Sequence, residues 1–253
     1  MATAELLQEI YRQVSAEQNP EAATLTSEAT ARIRQLILDG ELEPNVRINE
    51  VQLGDTLEIS RTPLRAALQT LAGEGLLVYA ANRGFSVRVY NLSEIIDAFD
   101  VRIFAEGFAA RRTAERGTSD VERIKMQRAL ECGERILQDD IAPDDRQEAY
   151  GAINAAFHAA IHRAPGTQLL VDVVGMCRIP QVSARKILPL TLDEIKRRHE
   201  IHERIFRAIL CRDARQAEML MREHVADVKE AMVLALNGHR TSAVEMMHDR
   251  LLP

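Results

Sequence analysis

Four residues in the second half of the chain are spaced so that they can meet. Asn154 and His158 are four apart and therefore share one face of one helix. His202 and His224 lie eleven residues before and eleven after Asp213, which opens a new helix with Gln216 as a capping partner. If the two flanking helices form an antiparallel pair, equal distances from the turn put both rings at one height, about 16 Å along at 1.5 Å per residue. Both also fall in apolar stripes: Ile195, His202, Phe206 and Ile209 on one helix, and Ala217, Leu220, His224, Val228 and Ala231 on the other. Three imidazoles and one amide oxygen facing a helical core would suit a divalent transition metal of the Zn, Ni or Mn type. The same spacing also fits three unrelated core or surface histidines, because seven His in 253 residues allow inward-facing coincidences. His162 and His199 are rival candidates, expected at the edge of such a site or on the surface.

A second set of residues is cationic. Residues 59–90 hold Arg61, Arg65, Arg83 and Arg88 against Glu74 alone, a balance of +3, whereas the whole chain is at −6. Arg61 and Arg65 share a face near the start of one helix. From there an Arg can take guanine O6 and N7 with two hydrogen bonds, or neutralise a phosphate. The Thr62 hydroxyl and the unpaired N–H groups of the helix start add donors for phosphate. Arg83, beside Gly84 at a hairpin tip, would reach a minor groove or the backbone. Solvated arginines on an ordinary small domain would have the same spacing.

The elements needed to position these residues are legible. Ile33, Leu36 and Ile37 mark a helix ending at Gly40, with Pro44 after it. Asn49 and Gln52 open a short helix through Leu57, and Ser60 is expected to cap a third, with Pro63 in its first turn. Gly73 and Gly75 close that helix. Two β-like runs, Leu76–Tyr79 and Phe85–Val89, follow as a hairpin. Three helices and a hairpin in about 65 residues is the plan of a winged helix-turn-helix. Beyond Ser93 there is no strand signal. Helices are expected at about 93–116, 118–138, 142–164, 167–188, 191–212 and 213–237, divided by Gly117, Pro143, Pro165–Gly166, Pro189 and Asp213. The fold class is therefore mainly α: an N-terminal winged helix-turn-helix followed by an all-helical bundle of six or seven helices. The expected divisions are an arm over 1–24, the winged domain over 25–90, the helical domain over 91–240 and a tail over 241–253.

The wording of these segments resembles the GntR family of bacterial regulators. The resemblance is carried by Ser60-Arg61-Thr62-Pro63-Leu64-Arg65-Ala66-Ala67-Leu68, then Glu74-Gly75-Leu76-Leu77 and Asn82-Arg83-Gly84-Phe85, with Gly40, Leu42, Pro44, Ile48 and Glu50 at the family's spacing. Two positions depart from it. The usual Pro-Gly turn is Pro44-Asn45, which Asn tolerates in the left-handed conformation, and the Glu after the second Arg is Ala66. An Arg of the FadR subfamily's second helix is Val51, so no base contact is expected there. The later segment is similar to the FCD ligand-binding domain of the FadR subfamily through Asp100-Val101-Arg102-Ile103-Phe104-Ala105-Glu106, Phe157-His158, and His202 and His224 around Arg212-Asp213-Ala214. That family's first metal ligand is usually Asp, where this chain has Asn154, a neutral oxygen. The resemblance implies small organic acids as effectors and four protein ligands on an ion preferring six. It also implies Arg102 as a bidentate partner for an effector carboxylate. An exposed Arg102 paired to Glu106 is the competing reading, and Arg178 and Arg185 are weaker candidates.

The main expectation is an effector-responsive repressor that binds palindromic double-stranded operator DNA as a homodimer. A regulator whose effector is the ion itself is the alternative. A metal-dependent hydrolase is remote, because the histidine helices carry no HExxH and no placed general base. Composition fits a folded chain with an aliphatic core, at 46% hydrophobic and 4% aromatic with no Trp. No run resembles a membrane span or signal peptide, and Cys132, Cys177 and Cys211 lack metal-type spacing, which suits a bacterial cytoplasm. Cys177 and Cys211 are expected to be buried. The net charge excludes a generic polycationic binder but leaves a local reading face, with −9 for the rest of the chain.

Overall fold

A computed structural model describes residues 3–15, 25–38, 41–42, 44–182 and 190–249, the side chains of 3, 4, 15, 38, 178–182 and 238–249 excepted. Two compact units emerge. One holds the winged segment. Its helices are α2 (Leu25–Leu38), α3 (Glu50–Leu57) and α4 (Arg61–Gly73), followed by β1 (Leu77–Ala80) and β2 (Gly84–Val87). Asn49 caps α3 by accepting from the N–H groups of Val51 and Gln52. Glycine at position 54 eases a close approach, since a Cβ there would stand a tight 3.1 Å from the Ile59 carbonyl oxygen and 3.3 Å from Leu64. That contact seats α3 against α4. Ile33, Leu53, Leu57, Leu64, Leu68 and Leu71 form the core with Phe85 and Val87 of the hairpin.

The two strands pair antiparallel, with Leu77 opposite Val87 and Ala80 opposite Gly84. Asn45 takes φ 62°, the left-handed conformation expected of it, and Asn82 in the hairpin turn takes φ 65°. Ser60 stands at the N-cap position of α4 with extended backbone, but its side chain makes no cap hydrogen bond. Proline in the first turn and tertiary packing hold this helix start instead. The expected stop at Gly40 lies outside the described residues.

The second unit contains α5 (Leu92–Arg116) from Ile96 onward, α6 (Asp120–Gln138), α7 (Pro143–Arg163), α8 (Gln168–Val182) as far as Cys177, α9 (Leu192–Leu210) and α10 (Ala214–Asp249). Ser119 caps α6, and Thr191 with Glu194 forms a reciprocal capping box on α9. Gln216 N–H donates to Asp213 at 3.0 Å, as the capping pair requires. α10 continues to Asp249, past the expected end at 237. The first segment, α1 (Thr3–Ser15), belongs to this unit and packs on α6 and α7 through buried Leu6 and Ile10. Its Gln13 meets the Cys132 thiol. The expected arm is thus a further helix of the bundle. No helix among the described residues is long and apolar enough to cross a membrane.

Candidate functional site

His158 comes from α7, His202 from α9 and His224 from α10, and all three are buried. The Nε2 atom of His202 lies 3.3 Å from that of His158 and 3.1 Å from that of His224. Antiparallel α9 and α10 bring the two rings to one height, as the equal spacing about Asp213 requires. Imidazole ligands at about 2.0–2.1 Å from a common ion stand about 2.9–3.4 Å from one another for bond angles between octahedral and tetrahedral. These two separations lie in that range, and the ligand atoms of all three rings lie within 4.8 Å of one another. Burial lowers the pKa of all three, furthest for His202 and His224, so each is held as the neutral imidazole that coordinates metals. These donors fit a divalent transition metal.

A buried carboxylate orients the triad. Glu106 on α5 faces Nδ1 of His158 through Oε2, and the same oxygen is 3.0 Å from Nε2 of His162. Its other oxygen accepts from Arg102 Nε, one turn earlier on α5. Burial alone would raise the Glu106 pKa, but Arg102, His158 and His162 together hold it well below the ordinary value. With Nδ1–H of His158 donating to this carboxylate, the Nε2 lone pair is left pointing toward His202 and His224. Thr113 ties the same two helices by donating to the Ile161 carbonyl at 3.0 Å.

Two of the expectations change here. Arg102 is paired to Glu106, but the pair is buried, not exposed. His162 is drawn into the site by Glu106, whereas His199 is buried and faces α6 instead. Asn154 is half-buried one turn before His158. The Arg178 side chain and all of Arg185 lie outside the described residues. Cys177 is buried as expected, but Cys211 is exposed, because it falls at the α9 C-cap where the chain turns.

Of two aromatic neighbours, sequence reasoning named Phe157 only as part of the Phe157-His158 pair and missed Tyr150. Phe157 stacks on His202 with centroids 4.6 Å apart, and Tyr150 lies parallel to the same ring at 6.4 Å. The Tyr150 hydroxyl is buried without a hydrogen-bond partner among the described residues, and burial raises its pKa despite nearby Arg198. Tyr150 lies two turns before His158 on α7, so the face was legible although its partner was not.

On the winged unit, Arg61, Thr62, Arg65 and Arg83 are all exposed, with the first three in the opening turns of α4 and Arg83 in the hairpin turn. Gly84 takes φ 74° at the start of β2, so it shares with Asn82 the left-handed backbone of the hairpin connection. Arg88 differs from its expected place on the reading face. It bonds Glu94 at 2.8 Å and lies over the Tyr90 ring. Arg47, in the loop before α3, pairs its backbone with Ser86 in an isolated β-bridge, and its Nε would be 3.7 Å from a Cβ at Gly84. Only the fold brings that loop to the hairpin. Val51 is exposed on α3 and carries no charge toward a groove.

Comparisons with known proteins follow the same division. The FCD domain family matches residues 97–227, and the family of bacterial regulatory proteins, gntR family, matches residues 25–87. The chain is 30% identical over 235 residues to the Glc operon transcriptional activator of Escherichia coli K12, covering 82% of this chain and 89% of that one. It is 25% identical over 195 residues to the HTH-type transcriptional repressor GlaR of the same strain, covering 75% and 87%. The Nta operon transcriptional regulator of Aminobacter aminovorans is 45% identical, but over 75 residues, 30% of this chain and 36% of that protein. Among solved structures, Escherichia coli McbR/YncC superposes with a TM-score of 0.66 at 19% identity, over 83% of this chain and 98% of that one. A winged segment early in the sequence, a helical domain after it, and both family matches in that order lead to one conclusion: the chain belongs to the GntR family of DNA-binding transcriptional regulators, with a C-terminal FCD domain, and is not an enzyme.

Proposed function

We propose that this regulator is a homodimeric repressor whose operator affinity is set by a small carboxylate effector bound beside a divalent metal in the FCD domain. The observation that carries the reading is the convergence of three neutral, buried imidazoles on one point, with Glu106 fixing the tautomer of His158. His158, His202 and His224 would hold the ion, with Asn154 as a neutral fourth ligand. When bound, the ion supplies a Lewis-acidic position for a carboxylate oxygen. Around it the chain's own residues supply recognition. Arg102 keeps a guanidinium in the site, aligned by Glu106, and the Tyr150 hydroxyl offers a buried donor without a partner among the described residues. Arg178 is a weaker effector contact.

On the winged domain, Arg61, Thr62, Arg65, Arg83 and Gly84 are the proposed contacts to double-stranded operator DNA. Two-fold symmetry in the dimer matches a palindromic site. An apolar stripe on α5, formed by exposed Val101, Phe104 and Phe108, favours self-association.

The test is binding of the full chain to a labelled operator fragment, with and without a panel of small carboxylic acids, in zinc-loaded and chelator-treated protein. The expected result is an acid that changes operator affinity about 5–150-fold, a coupling of about 1–3 kcal/mol, in the loaded protein only. A response to zinc without any acid would replace this reading with direct metal sensing. Insensitivity to both would overturn it.

A further inference from the structure

His199 lies one turn before His202 on α9 but does not point into the triad. Its ring packs on Gly133 of α6, where any Cβ would collide with the imidazole. The side chain is 4% exposed, and its Nε2 atom is buried without a hydrogen-bond partner among the described residues. That atom faces two carboxylates. Glu134 of α6 stands 3.7 Å away and Glu203, one turn on along α9, stands 3.9 Å away. Both distances exceed a hydrogen bond, and they are nearly equal. An imidazolium paired with a carboxylate would close on one of them. Here the nitrogen is beyond hydrogen-bond reach of both, and the three ligand atoms lie within 4.8 Å of one another, which leaves room for a shared third partner.

We propose that His199, Glu134 and Glu203 form a second divalent-cation site, separate from the triad, that clips α6 to α9. One nitrogen and two carboxylate oxygens form a donor set for zinc or manganese, and the two negative charges balance the ion. Ligand bonds of about 2.0–2.2 Å would place each oxygen about 2.9–3.6 Å from Nε2. Both carboxylates are about half exposed, at 53% and 47%, so each can close a gap of under about 1 Å without disturbing the core. Burial keeps His199 neutral against the pull of Glu203 and Glu134, which leaves it competent to coordinate. His202 follows one turn later, so the clip would fix the part of α9 that presents the triad's central ring.

The test is zinc stoichiometry in the full chain, stripped with chelator, then titrated with zinc chloride against a chromophoric competitor. Wild type, the double variant Glu134→Gln with Glu203→Gln, and His224→Ala are compared. Both carboxamide changes are at half-exposed positions, and a zinc-free thermal melt checks that the fold is intact. Two equivalents are expected in wild type, the second at least ten-fold weaker. The double variant loses the weaker one and His224→Ala the tighter one. An unchanged zinc count in the double variant overturns the site. So does a single wild-type equivalent that His224→Ala removes. If instead wild type binds one equivalent that only the double variant removes, this site stands and the triad's metal role falls.

Discussion

Replacing Glu106 by Gln separates two consequences of one buried carboxylate. The residue is fully buried, and its partner Arg102 has a side chain 6% exposed. Removing the charge leaves the guanidinium without that counterion where water cannot replace it. Breaking a buried pair costs about 3–5 kcal/mol, and Gln should fall near 3 because its carbonyl oxygen still accepts from Arg102. The second consequence concerns protons. Oε2 is placed to accept from both His158 and His162, whereas an amide nitrogen in that position only donates. His158 must then accept at Nδ1 and carry its proton on Nε2, the atom that faces His202 and His224. Metal affinity should fall about 10–100-fold, or about 1.4–2.8 kcal/mol. Urea unfolding of metal-free protein reads the first effect, and zinc competition reads the second. Wild-type values in both would refute the assignment of Glu106 as the ionised acceptor that orients the triad.

Other outcomes follow from the same structure. Arg61→Ala with Arg65→Ala should abolish sequence-specific operator binding, at about 1–3 kcal/mol for each base pair that an arginine no longer reads, with the melting curve unchanged because both side chains are exposed. Retained specificity in a gel-shift competition would contradict the reading-helix assignment. Metal-free protein should lose stability on acidification below about pH 6.5. Burial lowers His158, His202 and His224 below the ordinary 6.5, so the unfolded chain binds more protons there, and urea midpoints should fall from pH 7.5 to pH 5.5. A flat profile would mean the three rings are not buried as neutral imidazoles. Ile10→Ala should cost about 2–5 kcal/mol in the helical unit if α1 is part of its core, read by urea unfolding.

The histidine pair was legible because a turn with equal arms constrains height irrespective of detail. Asp213 fixed that turn, and α9 and α10 needed only to be antiparallel. Helix limits were equally readable where Pro143, Gly117 or Asp213 punctuated the chain. Glu106 and His162 were harder to find. Arg102 with Glu106, and His158 with His162, are each one turn apart on a single helix, and nothing in either helix says that α5 faces α7 there. That pairing is tertiary. The same limit hid Arg47, whose loop reaches the hairpin only through bridges to Ser86 and Val87. It also led to counting Arg88 among the reading cations, although Glu94 takes it. Residues 1–24 were expected as an arm, because Leu6 and Ile10 are buried by helices more than a hundred residues away.

The central claim is that three imidazoles converge in order to hold an ion. Its most direct test is an anomalous difference map at the zinc edge from crystals of the full chain grown with zinc. The account predicts a peak about 2.0–2.1 Å from Nε2 of each of His158, His202 and His224. A well-ordered map with the three rings in place and no peak between them would contradict it.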